Sequence, residues 1–438
     1  EVGLEIDNHD KRLYDARGLS YTGLGKYNLA LNSFDQALKI DSKFTSALIN
    51  KARALIELGK SSDALRILRG LVQSGEKNVH ILNNLGLALA DIKEITESIK
   101  VLEEAIEINN DFAEAHFNLA RVLLMNGEYS RGWDEHEWRW KCLDFDSEVR
   151  KFPYQTWNGE KIKGKKILVW SEQGIGDEIM FLSPLRELIS DGATVVLECS
   201  DKLVNIFSRS LSDVIVVPRT TPPKKDTMMS DIEFQLPLAS VSRFYRNSSE
   251  SFATNNGEYL FPKTSLAAKL KQRYKSLGDG PLVGICWKSG NLKVGAQRSI
   301  SLKLWEEILI KKPCRFLSLQ YGDSRSDTSI FGNNADIHIH LDEKVNPLDD
   351  AESWFAQIAA VDLVISVDNS TIQVSGSQGV PTWTLVNFNP EWRFGLRGEK
   401  NDWHPSMRVY RQPKEGDWES VISQVADEFT GWLEKFSG

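Results

Sequence analysis

The sequence predicts a helical repeat array followed by two α/β lobes, each built on a doubly wound parallel sheet. Three observations carry this. Small residues recur every 34 positions, at Gly18, Ala52, Gly86 and Ala120. From Lys165 the apolar pattern shortens to strand-length runs that alternate with helical stretches. A second alternating series starts at Val283. Strands that alternate with helices imply parallel sheets.

The repeats come first. A second row, Gly25, Gly59 and Gly127, keeps the 34-residue spacing and fails only at Lys93. This resembles the tetratricopeptide repeat, in which two antiparallel helices stack on the next pair. The small residue sits where the helices of a pair touch. Tyr21, Tyr27, Ala30, Phe34 and Ala37 fall at the family's packing positions. The array is expected to run from residue 11 to about 140, within a domain of residues 1–141. The fourth repeat degenerates after Gly132 into Trp133, Trp138 and Trp140, an aromatic cluster expected to pack on whatever follows.

The stretch 142–164, with Pro153, Gly159 and Gly164, reads as a linker. In the first lobe, 165–262, strands are expected at Ile167–Ser171, Thr194–Cys199 and Val214–Val217, with a helix from about Glu178 to Ile189. The Ser, Asn and Gly-rich region 247–262 closes it. In the second lobe, 263–438, strands are expected at Val283–Trp287, Arg315–Gln320, Ile337–Ile339, Leu363–Val367 and Thr382–Val386. An amphipathic helix from Asp417 to Phe436 ends the chain.

Composition narrows the function. The net charge of −8 argues against nucleic acid as a general partner, because phosphate binding needs a basic footprint. Cys142, Cys199, Cys286 and Cys314 form no close pair, which suggests neither a disulfide framework nor a zinc site and fits a reducing, cytoplasmic setting. No apolar run reaches membrane-spanning length, and no signal peptide opens the sequence.

Three strand-to-helix turns are candidate sites. In Glu172–Asp177, Gly174 and Gly176 allow close backbone approach to a ligand, with Asp177 at the helix start. The plainer reading is a turn whose helix Asp177 caps. A dinucleotide site fits poorly: Ile179 replaces the third glycine, and Asp177 would repel a pyrophosphate, although Glu198 ends the second strand. In Ser366–Thr371, Asp368, Asn369, Ser370 and Thr371 either cap a helix or offer amides and hydroxyls to a diphosphate. After the second lobe's first strand, Lys288, with Arg298 a short loop later, either neutralises a phosphate or is simply solvated.

Together these turns resemble the two-lobed GT-B glycosyltransferases, within them the heptosyltransferase-related group and its tetratricopeptide-fused bacterial members, which are similar to the protein O-GlcNAc transferases. The matching stretches are Gly127–Trp140, Ile167–Phe181, Val283–Gly290, Phe316–Asp323, Leu363–Pro381 and Pro390–Gln412, the last with Glu391-Trp392-Arg393 and Trp403-His404-Pro405. The resemblance implies that Asp177 is the catalytic base, that the 368–371 turn and Lys288 hold the donor diphosphate, and that Gln320 contacts the base or ribose. Heptosyltransferases show Asp-Thr-Gly followed by a His where this chain has Asp368-Asn369-Ser370 and Gln373. It also implies that no metal and no resident cofactor is needed; Asp144-Phe145-Asp146 spells a metal motif, but between domains.

Asn50, Asn84 and Asn118 keep the 34-residue spacing, each two positions before the small residue; Ala16 breaks the row. In O-GlcNAc transferase such asparagines hold a peptide backbone, and an amide side chain both donates and accepts. The alternative is that Asn is simply frequent at this repeat position. His404, beside Trp403, is expected to pack or to lie at the surface rather than to catalyse, and Trp392 and Trp403 to be core rather than sugar platforms.

The expected function is inverting, metal-independent glycosyl transfer from a nucleotide sugar to a protein or peptide on the repeats. The alternatives are a lipopolysaccharide-type sugar transferase and a non-catalytic adaptor with a degenerate transferase fold.

Overall fold

The computed structural model describes residues 9–253, 257–291, 294–322, 324–332, 334 and 336–437. Residues 1–8 of the expected repeat domain, residues 254–256 of the polar stretch, and Asp323 lie outside the described residues. The chain divides into two units, 1–145 and 146–438. The division falls inside the expected linker, and both sheets share the second unit.

The first unit is a tetratricopeptide solenoid. Its helices are α1 (Lys11–Gly23), α2 (Tyr27–Ile40), α3 (Thr45–Glu57), α4 (Ser61–Gln73), α5 (Val79–Asp91), α6 (Ile95–Ile108), α7 (Ala113–Met125) and α8 (Tyr129–His136). The small residues sit where sterics demand them. A Cβ on Gly18 would lie 2.3 Å from the Phe34 ring, and one on Gly86 would lie 2.5 Å from Leu102. Gly25, Gly59 and Gly127 turn the chain with φ of 69°, 74° and 83°. Lys93 keeps the same left-handed backbone at φ 67°, so the turn persists where the glycine does not.

The tryptophan cluster folds back on the last helix pair. Trp138 stacks on His116 with centroids 3.8 Å apart, and Phe145 meets Phe117 edge-on at 5.9 Å. Trp133 and Arg139 are fully buried. The cluster thus gives the final repeat an apolar partner within its own unit, and terminal repeats need such a cover.

The second unit holds two parallel sheets. The first comprises β1 (Gln155–Thr156), β2 (Lys166–Trp170), β3 (Thr194–Cys199), β4 (Val214–Pro218) and β5 (Phe234–Pro237), in the order β1-β5-β2-β3-β4. The second comprises β6 (Leu282–Cys286), β7 (Arg315–Ser318), β8 (Ile339–His340), β9 (Leu363–Val367), β10 (Thr382–Val386) and β11 (Met407–Arg411), in the order β11-β10-β9-β6-β7-β8. Strands β1, β5 and β11 were not expected from the sequence. The linker residues 155–156 supply the edge strand β1, which pairs with β5. The helix expected over 178–189 is two, α9 (Ile175–Phe181) and a second at Leu185–Ser190, because Pro184 stands between them.

Each sheet reverses its winding direction at one point, between β2 and β5 in the first and between β6 and β9 in the second. Ligands of open α/β sheets bind at the carboxyl ends of strands at such a switch point. The turn after β2 holds Asp177. The turns after β6 and β9 hold Lys288 and residues 368–371. Three further helices complete the frame used below: α10 (Ala351–Ile358), α11 (Ser370–Ser377) and α12 (Trp418–Ser437).

Candidate functional site

The turn after β2 is held by its own polar groups. Glu172 is buried and accepts the Ala239 N–H at 3.1 Å. Gln173, not a glycine, takes the left-handed backbone, at φ 61°, and its N–H donates to Ser147 Oγ at 2.6 Å. Gly174 has an extended backbone at the start of α9, and its N–H reaches Asp177 Oδ2 at 3.4 Å. The two expected turn glycines therefore do different work. A Cβ on Gly176 would lie 3.3 Å from Ser370 Oγ and 3.5 Å from Gln373 Cγ, so Gly176 lets α9 approach α11. Gly174 has ordinary room.

Asp177 lies between the two sheets' switch points. Its Oδ1 is 3.3 Å from Arg393 Nη2, and its side chain keeps 24% of its exposure. Burial pushes its carboxyl above the usual range, and the facing Arg393 charge opposes that shift. Its neighbour Glu178 is buried, accepts the Ser200 N–H at 2.9 Å and is pushed up to about 7 by burial.

On the second sheet, several expected donor ligands instead tie the turns together. Asn369 caps α11 by accepting the Thr371 N–H at 2.9 Å, and its Nδ2 donates to Cys286 Sγ at 2.9 Å and Lys288 O at 3.2 Å. Gln320 Oε1 accepts the Lys288 N–H at 2.9 Å and the Trp287 N–H at 3.2 Å. Gln320 and Asn369 thus bond the turns internally, Gln320 to backbone and Asn369 to backbone and to Cys286 Sγ. Thr371 is fully buried, and only Ser370 of the 368–371 hydroxyls stands at the gap.

The cations expected on the donor side are paired with carboxylates. Lys288 Nζ pairs with Asp327 at 2.6 Å. Arg298 pairs with Asp368 at 2.9 Å and also with Glu391. Arg393 faces Asp177, Asp368 and Glu391. Three cations thus meet four carboxylates. Arg393 differs from the other two. Its Nε is buried with no hydrogen-bond partner. Its loop is held by Arg411, which donates to the carbonyls of Phe394, Gly395 and Gly398. Glu391-Trp392-Arg393 follows Pro390 in the sequence, and nothing in those three residues says what they will face.

His404 packs, as expected. It is buried, its Nε2 lies 2.8 Å from Gln373 Oε1, and burial lowers it to about 3. A Cβ on Gly376 would lie 2.3 Å from its ring. Gln373 thus has an internal partner at the position where the resembling family carries a histidine. Trp403 is buried among Phe181, Phe252 and Trp392. Beside Gln320, a cavity of about 490 Å³ opens at the carboxyl ends of β7 and β8, lined by Ser318, Arg325, Asp342, Asn346 and Gln357 among others. Among the described residues, no group of three or more His, Cys, Asp or Glu converges as a metal site.

In the solenoid, Asn50 Nδ2 donates to Asp15 Oδ1 at 2.9 Å and Asn118 Nδ2 to Asn83 Oδ1 at 2.8 Å. Both bonds span 35 residues, so they link one repeat to the next. Asn84 is buried.

Fold and site thus define a tetratricopeptide solenoid joined to a unit with two parallel sheets whose switch-point turns meet. Family comparison agrees on the first part: residues 21–82 and 86–127 match tetratricopeptide repeat families. The chain is similar to Protein FlbA of Caulobacter vibrioides, at 26% identity over 430 residues, covering 86% of this chain and 71% of that protein. Among solved structures, it is similar to TTC0263, a tetratricopeptide protein of Thermus thermophilus, at 22% identity over 31% of this chain and 76% of that one, with a TM-score of 0.30. It is likewise similar to the first tetratricopeptide domain of Spaghetti (RPAP3), solved with an HSP90 peptide, at 21% identity over 26% of this chain and 92% of that one, with a TM-score of 0.25.

Proposed function

We propose that the second unit is a GT-B-type glycosyltransferase that moves a sugar from a nucleotide sugar to a hydroxyl of a protein or peptide bound by the repeats. One observation carries the reading: the switch-point turns of both sheets meet, and a carboxylate, Asp177, stands at their junction beside an arginine. The cavity beside Gln320 is large enough for a nucleoside. The tetratricopeptide repeats support a protein partner.

The acceptor oxygen bonds to the anomeric carbon. The bond from that carbon to the donor phosphate oxygen breaks, and its electron pair leaves on the phosphate. The hydroxyl proton passes to the Asp177 carboxylate. Donor and acceptor are substrates, and the scheme uses no resident cofactor.

The test is release of nucleotide from a panel of UDP-, GDP-, ADP- and CMP-sugars by the full chain. The wild type is expected to turn over one nucleotide class. Asp177→Asn is expected to cut release by about 100-fold or more while retaining nucleotide binding. Full activity in that variant removes Asp177 from the base role. A non-catalytic adaptor is the second reading, favoured by the neutralised cations. Binding of no nucleotide in the same panel selects it.

A further inference from the structure

The site holds more negative than positive charge, yet the proposed donor is itself an anion. Something must yield when it binds. Lys288 and Arg298 are committed to close partners, Asp327 for the first and Asp368 and Glu391 for the second. Arg393 is not held so closely. Its nearest contact with Asp177 is 3.3 Å, longer than a good charge-assisted hydrogen bond. Its Nε is buried and unpartnered. A guanidinium carries five N–H donors in a planar fork suited to phosphate. The Arg411 bonds to the carbonyls of residues 394, 395 and 398 hold the backbone of the loop that carries Arg393.

We propose that Arg393 is an exchange arm: it holds Asp177 while the site is empty and turns to the donor phosphate when that arrives, releasing the base. This rests on the transferase reading of the same site. During transfer the electron pair of the broken carbon–oxygen bond arrives on the phosphate that Arg393 then faces. The hydroxyl proton goes to an Asp177 that has just lost its counter-charge. The base therefore strengthens only when a donor is in place. Asp177 is faced by Arg393, Glu391 and Asp368, with Glu178 next to it on α9; Arg393 is faced by Asp177, Asp368 and Glu391 and has His404 nearby. Removing Arg393 from this set leaves Asp177 among like charges, which favours its proton.

The probe is inorganic pyrophosphate, titrated calorimetrically into the full chain at pH 6 to 7 in buffers of different ionisation heat. Arg393→Gln is expected to weaken binding by about tenfold or more, as for loss of a hydrogen bond to a charged group. Arg393→Lys, which keeps the charge, restores most of it. Lys288→Gln changes affinity by less than about threefold, the scale of a partly exposed ion pair. Asp177→Asn tightens binding, because it frees the arm, and the wild type takes up more protons on binding than this variant does. Loss of affinity in Lys288→Gln but not in Arg393→Gln overturns the exchange, as does equal proton uptake in wild type and Asp177→Asn. Pyrophosphate binding needs no sugar transfer, so failure of the nucleotide-release assay with these binding results intact discards the transferase reading alone.

Discussion

The two sheets of the second unit treat their carboxyl edges in opposite ways. On the first sheet the edge is sealed. Arg150 reaches in from the segment before β1 and bonds Glu198 through Nε at 3.0 Å and Nη2 at 2.6 Å, both residues being buried. Ser147 takes the Gln173 N–H, Arg219 donates to Ser171 O at 2.9 Å, and Glu178 takes the Ser200 N–H. On the second sheet the edge is open: a cavity, a half-exposed Lys288 and an under-used Arg393 lie there. The same sheet design thus closes one carboxyl edge with internal bonds and leaves a cavity at the other.

Breaking the sealed edge has the largest expected effect. Arg150→Ala leaves Glu198 buried and uncompensated and should cost about 3–5 kcal/mol, read as a fall in melting temperature of the second unit; the double change Arg150→Met with Glu198→Leu should cost far less. An equal loss in both variants means the pair is not a buried seal.

Next comes pH. Glu178 titrates at about 7 in the fold, against about 4.3 unfolded, so the folded state binds more protons between those values. Stability is therefore expected to fall by roughly 3 kcal/mol as pH rises from about 4.5 to 7, and Glu178→Gln should flatten that slope. An unchanged slope in the variant assigns it to other groups.

On the open edge the expected effects are smaller. Gly376→Ala presses a methyl group against His404 and should cost about 1–3 kcal/mol by thermal unfolding. Asp327→Asn releases Lys288 and should raise pyrophosphate affinity about two- to fivefold. A loss of affinity instead would make Asp327 part of the binding surface.

Much of this architecture was legible because backbone periodicities leave marks on sequence. The 34-residue rows found the solenoid, since a Cβ at Gly18 or Gly86 has no room. Strands β3, β9 and β10 stand at their expected bounds because they are buried apolar runs. Strand β1 is two exposed polar residues, held by pairing with β5 and not by any pattern of its own. The turns that carry Asp177, Lys288 and 368–371 were found from glycines and caps after strands. Their charge balance was not, because Asp327, Glu391 and Arg393 reach the site from segments distant in sequence, and the sequence does not state which cation meets which acid. The asparagine row was visible, but its use between repeats depends on Asp15 and Asn83, which stand 35 residues before their partners.

The closeness of Gly176 to Ser370 has a mechanical consequence. The clearance between these helix ends is less than one methyl group, and a hexose ring is far wider. A side chain at position 176 would therefore press on Ser370 and Gln373 and hold α9 off α11.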